Sequence, residues 1–193
     1  HRWECAFGLL HAMLRNGTAE APSYAPRPDT VSFNAVLSAC DKGGQWSLAL
    51  SLIGAMVERE HGVAPDATSF AASTSAVGRA AIWKHALAIF EEGSSELLGR
   101  RLQPDGWMYN SAIAACERAG QWQAALALLA RMRSARVDFT TDASPTFFPA
   151  ISAVSRAGQA KIAAALYVEF CESGALLTYP GSPSSLVHHQ SDQ

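Results

Sequence analysis

Charge is sparse in this 193-residue chain: 17% of the residues are Asp, Glu, Lys or Arg, and 17 acids against 15 bases leave a net charge of −2. That balance excludes a strongly basic nucleic-acid-binding domain of the histone or zinc-finger kind, although not a local basic stripe. No apolar run approaches the roughly 18 residues that a membrane-spanning helix needs, since the richest, Ala124 to Ala130, ends at Gln123 and Arg131. Cysteine is scarce too. Cys5, Cys40, Cys116 and Cys171 stand far apart without a CxxC pair, which argues against a zinc site or a disulfide framework. The chain has no Ser-His-Asp arrangement, P-loop, HExxH or carboxylate cluster, and His11, His61 and His85 share no common register. These absences predict a protein that is not an enzyme and uses no cofactor, metal, membrane or small-molecule substrate.

What the chain does have is hydrophobic content, 49%, and a repeat. Pro28–Asn34 reads Pro-Asp-Thr-Val-Ser-Phe-Asn, and Pro104–Asn110 reads Pro-Asp-Gly-Trp-Met-Tyr-Asn. Between them, Pro65–Ala71 reads Pro-Asp-Ala-Thr-Ser-Phe-Ala. Trp46, Trp83 and Trp122 each follow the Asn34, Ala71 or Asn110 column by 12 residues. Units counted from Thr30, Ala67, Gly106 and Ser144 start 37, 39 and 38 residues apart. The N-terminus fits a truncated unit, because Trp3, Ala6, Leu9, Leu10 and Met13 match Trp46, Ala49, Leu52, Ile53 and Met56 at a constant offset of 43. The expected division is 1–29 (second helix of a truncated unit and a Pro-rich joint), 30–66, 67–105, 106–143 and 144–178 as units, and 179–193 as a disordered tail. Units 67–105 and 144–178 are the degenerate ones.

Each unit reads as two helices. Phe33, Val36, Leu37 and Cys40, then Tyr109, Ala112, Ile113 and Cys116, then Phe147, Ala150, Ile151 and Val154 follow the i, i+3, i+4, i+7 spacing of one helix face. Trp46, Ala49, Leu50, Ile53 and Met56 form the second stripe, as do Trp122, Ala125, Leu126, Leu129 and Met132. Glycines at 43–44, 120 and 158 break the paired helices, because glycine takes a left-handed backbone without a Cβ clash. Each Pro-Asp punctuates a joint, with Asp able to cap the next helix. A lone helix pair leaves apolar surface on both broad sides, so the units must stack. The predicted fold is an all-α, right-handed α-solenoid of helix-turn-helix repeats. The tryptophans are expected to be packing wedges between the two helices, each burial contributing roughly 2–3 kcal/mol.

Val31–Gly44, Ala49–Met56 with Pro65-Asp66, and Gly106–Met132 with Asn110, Cys116 and Gly120 resemble the pentatricopeptide repeat family. The resemblance runs from about Trp3 to Leu177; tetratricopeptide repeats, the nearest rival, carry a Trp-Leu-Gly-Tyr style first helix that neither good unit shows. It implies binding of single-stranded RNA, one unit per base, read by two or three side chains per repeat. It also implies a mitochondrial or chloroplast setting in RNA processing, editing, stability or translation, with other RNA-processing proteins as partners, and an array of more units. On the family's pattern the base-reading column is Asn34, Ala71, Asn110 and Phe148, with Asp66, Asp105 and Ala143 as the partners of the first three. Asn34 with Asp66 matches the pair that prefers uracil, and Val31 and Trp107 take the places that pack against base faces. Ala71 has nothing to bond a base with, Phe148 can stack but not read, and Asn110 lacks an acid unless Asp142 substitutes.

Eight residues past the reader column stand Lys42, Arg79, Arg118 and Arg156, about 80° beyond two full helical turns. Stacking would align them as a candidate phosphate ladder. Capping of the helix C-terminus, worth roughly 0.3–1 kcal/mol, explains them equally well. The cysteines read as small core residues. The alternative to RNA binding is a protein-interaction scaffold that holds a peptide in the same groove; an accessory segment of a larger RNA enzyme is a third reading.

Overall fold

A computed structural model describes residues 2–16, 27–95, 102–137 and 144–172. The tail 179–193 and the joint residues 17–26, for which the sequence predicts disorder and a long connection, lie outside them. The described residues form an all-α repeat solenoid: α1 Arg2–Asn16, α2 Thr30–Gly43, α3 Trp46–Val57, α4 Ala67–Arg79, α5 Trp83–Ser94, α6 Gly106–Arg118, α7 Trp122–Ser134, α8 Ser144–Arg156 and α9 Ala160–Glu172.

The helices make two layers. The first helices pack side by side, α2 on α4, α4 on α6 and α6 on α8. The three inner second helices each wedge behind two of them, α3 against α2 and α4, α5 against α4 and α6, α7 against α6 and α8. This staggering joins neighbouring units into one stack. The first-helix stripes are buried almost throughout: Phe33, Val36, Leu37 and Cys40, then Tyr109, Ala112, Ile113 and Cys116.

Local chemistry sets where each helix starts and stops. Asp29, Asp66 and Asp105 are N-caps of α2, α4 and α6, and Asp29 and Asp66 complete capping boxes with Ser32 and Ser69. Each such cap stabilises its helix by about 1 kcal/mol. Gly44, Gly120 and Gly158 take φ of 67°, 69° and 74° in the turns that follow. The next N–H then bonds back across the helix end, Gln45 to the Cys40 carbonyl and Gln121 to the Cys116 carbonyl, both at 2.9 Å. The second turn keeps this shape with Ala81 at φ 58°, a conformation that a Cβ disfavours.

The tryptophans depart from the expected role. Trp46 is 39% exposed, and Trp83 and Trp122 are half-buried. The interior place is filled by alanine, with Ala49, Ala86 and Ala125 fully buried. Each tryptophan stands at the first position of its helix, beside the turn, and Trp122 packs against the edge of the core. A side chain of alanine's size is what lets the two helices approach. The second-helix stripe is also rotated from the expected one: Leu52 and Leu128 are buried, while Leu50 and Leu126 are only partly so.

Candidate functional site

The Asn34 column lies on the open side of the first-helix layer. A groove of about 340 Å³ crosses α2, α4 and α6, lined among others by Asn34, Asp41, Ala71, Ser75, Asp105 and Trp107. Helical periodicity explains the placement. Phe33 turns inward to the second helix, and the next residue, about 100° further round, faces the groove.

Asn34 is half-buried and bonded across the repeat boundary. Its Nδ2 donates to Asp66, 3.1 Å from Oδ1 and 3.3 Å from Oδ2. Its Oδ1 accepts from the Ser69 hydroxyl at 2.6 Å. Asp66 serves two ends at once, since it also accepts from the Ser69 backbone N–H at 2.8 Å as the α4 cap. Asn110 is half-buried as well, and its Oδ1 accepts from the Thr146 hydroxyl. The partner positions considered for Asn110, Asp142 and Ala143, lie outside the described residues. Ala71, 7% exposed, borders the groove, and its partner position Asp105 is exposed and caps α6 by accepting from the Met108 N–H at 2.9 Å.

Phe148 is 45% exposed, and its ring lies 5.1 Å from that of Phe170 on α9. Val31 and Trp107 project from the first turns of α2 and α6, 73% and 76% exposed. Exposure of large apolar side chains to that degree leaves them open to contact with a ligand's flat face.

The four cations do not stand alike. Arg79 Nε lies 2.7 Å from Asp41 Oδ1, with the Ser75 hydroxyl donating to the same oxygen at 2.9 Å. Arg118 Nε donates to the Gly78 carbonyl at 2.9 Å. Burial first, and then the charge of neighbouring Arg79, lower the pKa of Arg118, which still leaves it protonated at neutral pH. Each of these two arginines therefore stitches its helix to the end of the preceding one. Lys42 and Arg156 are exposed and have no hydrogen-bond or ion-pair partner among the described residues.

Sequence reasoning missed the hydroxyls that hold the polar column. Ser69 and Thr146 bond the asparagines, and Ser75 and Ser152 bond Asp41 and Glu117, the last at 2.7 Å. A signal was present: Ser75 and Ser152 both stand four residues past the reader column of their own units.

The PPR repeat profile matches this chain twice, at residues 31–61 and 107–137, the two units that carry asparagine in the Asn34 column. The chain carries pentatricopeptide repeats. Solved structures of proteins with such repeats share its fold. The PPR domain of Arabidopsis thaliana protein-only RNase P 1, in complex with tRNA, superposes with a TM-score of 0.68 at 16% identity, over 96% of this chain and 87% of that one. The repeat protein PPR10 in complex with an 18-nt psaJ RNA element gives 0.65 at 22% identity over 88% of this chain. Maize PPR10 gives 0.60 at 24% identity over 90%. This chain spans 23% and 22% of the length of the two PPR10 chains. No curated protein sequence matches the chain.

Cys40 and Cys116 are buried core residues as expected, whereas Cys5 is exposed and Cys171 half-buried, because they stand outside the buried face of their second helices. Burial raises the Cys40 pKa and pushes that of Cys116 up to about 11, so both remain thiols, the less nucleophilic form. Among the described residues no group of three or more His, Cys, Asp or Glu is placed to hold a metal ion.

Proposed function

We propose that this repeat protein binds single-stranded RNA along the groove of its first helices and selects sequence without catalysing a reaction. The observation that carries the reading is the bonded pair Asn34–Asp66, which spans a repeat boundary at the edge of an open groove. A side-chain amide offers a donor and an acceptor together, as does the uracil edge with its carbonyls beside N3–H. Exposed Val31 and Trp107, three residues before each asparagine, supply surfaces for base packing. Support also comes from the similar structures named above, two of which hold RNA.

Uracil is the base assigned to Asn34 with Asp66. Asn110 reads with less discrimination, and Ala71 accepts any base. Lys42 and Arg156 contact phosphates, while Arg79 and Arg118 serve the stack first. The resemblance to the family supports a setting in mitochondria or chloroplasts, in RNA processing, editing, stability or translation, beside other RNA-processing proteins. Cell fractionation that finds the protein outside both organelles overturns the setting alone.

Fluorescence anisotropy with labelled oligouridylate and oligocytidylate tests the binding. Asn34→Ala should narrow the preference for uridine by about five- to tenfold, the weight of one or two hydrogen bonds. Lys42→Glu with Arg156→Glu should weaken binding to both oligomers alike and flatten its dependence on salt. Absence of affinity for either oligomer at low salt would sink the reading.

A further inference from the structure

What a base meets at Asn34 depends on which way its amide points, because the two ends are alike in size and opposite in hydrogen-bonding character. Two contacts from the following repeat settle the orientation. The Asp66 carboxylate receives the Nδ2 end, and the Ser69 hydroxyl donates to the Oδ1 end. A flipped amide would set its oxygen against the carboxylate. The Ser69 hydroxyl has one proton, and the distances choose its acceptor: 2.6 Å to Asn34 Oδ1 against 3.0 Å to Asp66 Oδ1. The Ser69 oxygen is itself held in place by the Asp66 backbone N–H at 3.1 Å. Asn34 is left with one N–H and one lone pair to offer a ligand.

The same device recurs two repeats on. Thr146, at the matching place of α8, donates to Asn110 Oδ1. Both hydroxyls are interior, Ser69 at 0% and Thr146 at 1% exposure, so neither is there for solubility. At the junction between them the reader position is Ala71, and the matching residue of α6 is Met108, 1% exposed and apolar. In two junctions, then, a hydroxyl bonds an asparagine, and in the one between them a thioether stands in the hydroxyl's place and an alanine in the asparagine's.

We infer that Ser69 and Thr146 are positioning residues for base selection, each fixing the amide of the preceding repeat so that its donor and acceptor meet the base in one order. The inference rests on the RNA reading proposed above. It extends the base-reading set of a repeat to a hydroxyl on the next first helix that touches no ligand.

Ser32 separates this role from helix capping. It makes the same capping box with Asp29, its N–H donating to Asp29 Oδ1 at 2.8 Å and its hydroxyl at 2.7 Å, with no reader asparagine before it among the described residues. The experiment compares Ser69→Ala, Ser69→Thr and Ser32→Ala in the 193-residue chain, each titrated with labelled oligouridylate and oligocytidylate. Ser69→Ala should cut the ratio of the two affinities by about fivefold, the worth of one hydrogen bond. Ser69→Thr should restore the ratio, and Ser32→Ala should leave it intact while lowering the urea midpoint. In ¹⁵N-labelled protein, the Asn34 side-chain amide protons, assigned with Asn34→Ala, should change position in Ser69→Ala and hold it in Ser69→Thr and Ser32→Ala. An unchanged ratio in Ser69→Ala, with the uridine preference of the parent chain intact, overturns the positioning role and leaves the RNA reading standing. A parent chain that binds neither oligomer overturns both.

Discussion

The junction between α2 and α4 and the junction between α4 and α6 are held by different chemistry. At the first, long polar side chains reach forward: Asn34 to Asp66 and Ser69, and Asp41 to Ser75 and Arg79. At the second, small residues take the corresponding places, Ala71 and Gly78, and the backbones come close. A Cβ on Gly78 would stand 2.6 Å from the Ala115 Cβ and 3.1 Å from its Cα. The third junction, α6 to α8, returns to the polar kind through Asn110–Thr146 and Glu117–Ser152. The alternation teaches that a unit of weak sequence pattern need not be a weak part of the stack. Helix α4 carries alanine in the column where α2 and α6 carry asparagine, and it packs closely, with Ser69, Phe70, Ala71, Ser73, Thr74, Ala76, Val77 and Gly78 all buried.

The close seam should be the most sensitive to change. Gly78→Ala is expected to cost about 1–3 kcal/mol through overpacking against Ala115, read as a lower urea midpoint. Gly54 is the comparison. It is also helical, but a Cβ added there would enter open space, with no atom within 4 Å, so Gly54→Ala should be neutral or stabilising. Equal midpoints for the two variants would mean that the seam can spread without loss.

Converting the seam to the polar kind sharpens the contrast. Ala71→Asn alone should destabilise by about 1–2 kcal/mol, because the amide enters a site with no hydroxyl to meet it. Ala71→Asn with Met108→Ser supplies the missing donor, and should recover part of that loss and add a base preference at the central unit. A double variant no more selective than the parent in the anisotropy titration would show that side-chain identity alone does not convert a junction.

The turns offer a smaller test. Ala81→Gly should raise stability by about 1 kcal/mol, since Ala81 holds a left-handed backbone that Gly44, Gly120 and Gly158 take without a Cβ. A thermal midpoint unchanged or lowered would contradict that. Smallest of all, Asp41→Asn breaks an ion pair whose arginine is 56% exposed, and should change the stability read from the urea midpoint by less than about 1 kcal/mol. A larger loss would mean that the polar junction depends on this pair more than on the Asn34–Asp66–Ser69 group.

Much of the fold is legible in the sequence because its signals are local. Apolar spacing places Phe33, Val36, Leu37 and Cys40 on one buried face. The Pro-Asp pairs put caps at Asp66 and Asp105, and glycine marks the turns at Gly44, Gly120 and Gly158. The tryptophans differ from expectation because size is a poor measure of burial where helices pack closely; the narrow interface selects Ala49, Ala86 and Ala125. The cations differ in part for a related reason. A charge in a fixed repeat position looks alike in every unit, but its partner belongs to a neighbouring unit, and Arg79 and Arg118 find one there.

Sequence by itself determined the paired helices, their ends and the stacking of units, since these follow from periodicity, capping chemistry and turn residues within a few positions of one another. Only the tertiary structure decided what each polar side chain does. Asn34, Ser69, Asp66, Asp41 and Arg79 acquire their roles from groups more than 30 residues away. Hydrogen bonds are short and directional, so those roles exist only once the helices that carry them have been packed at a fixed distance and rotation.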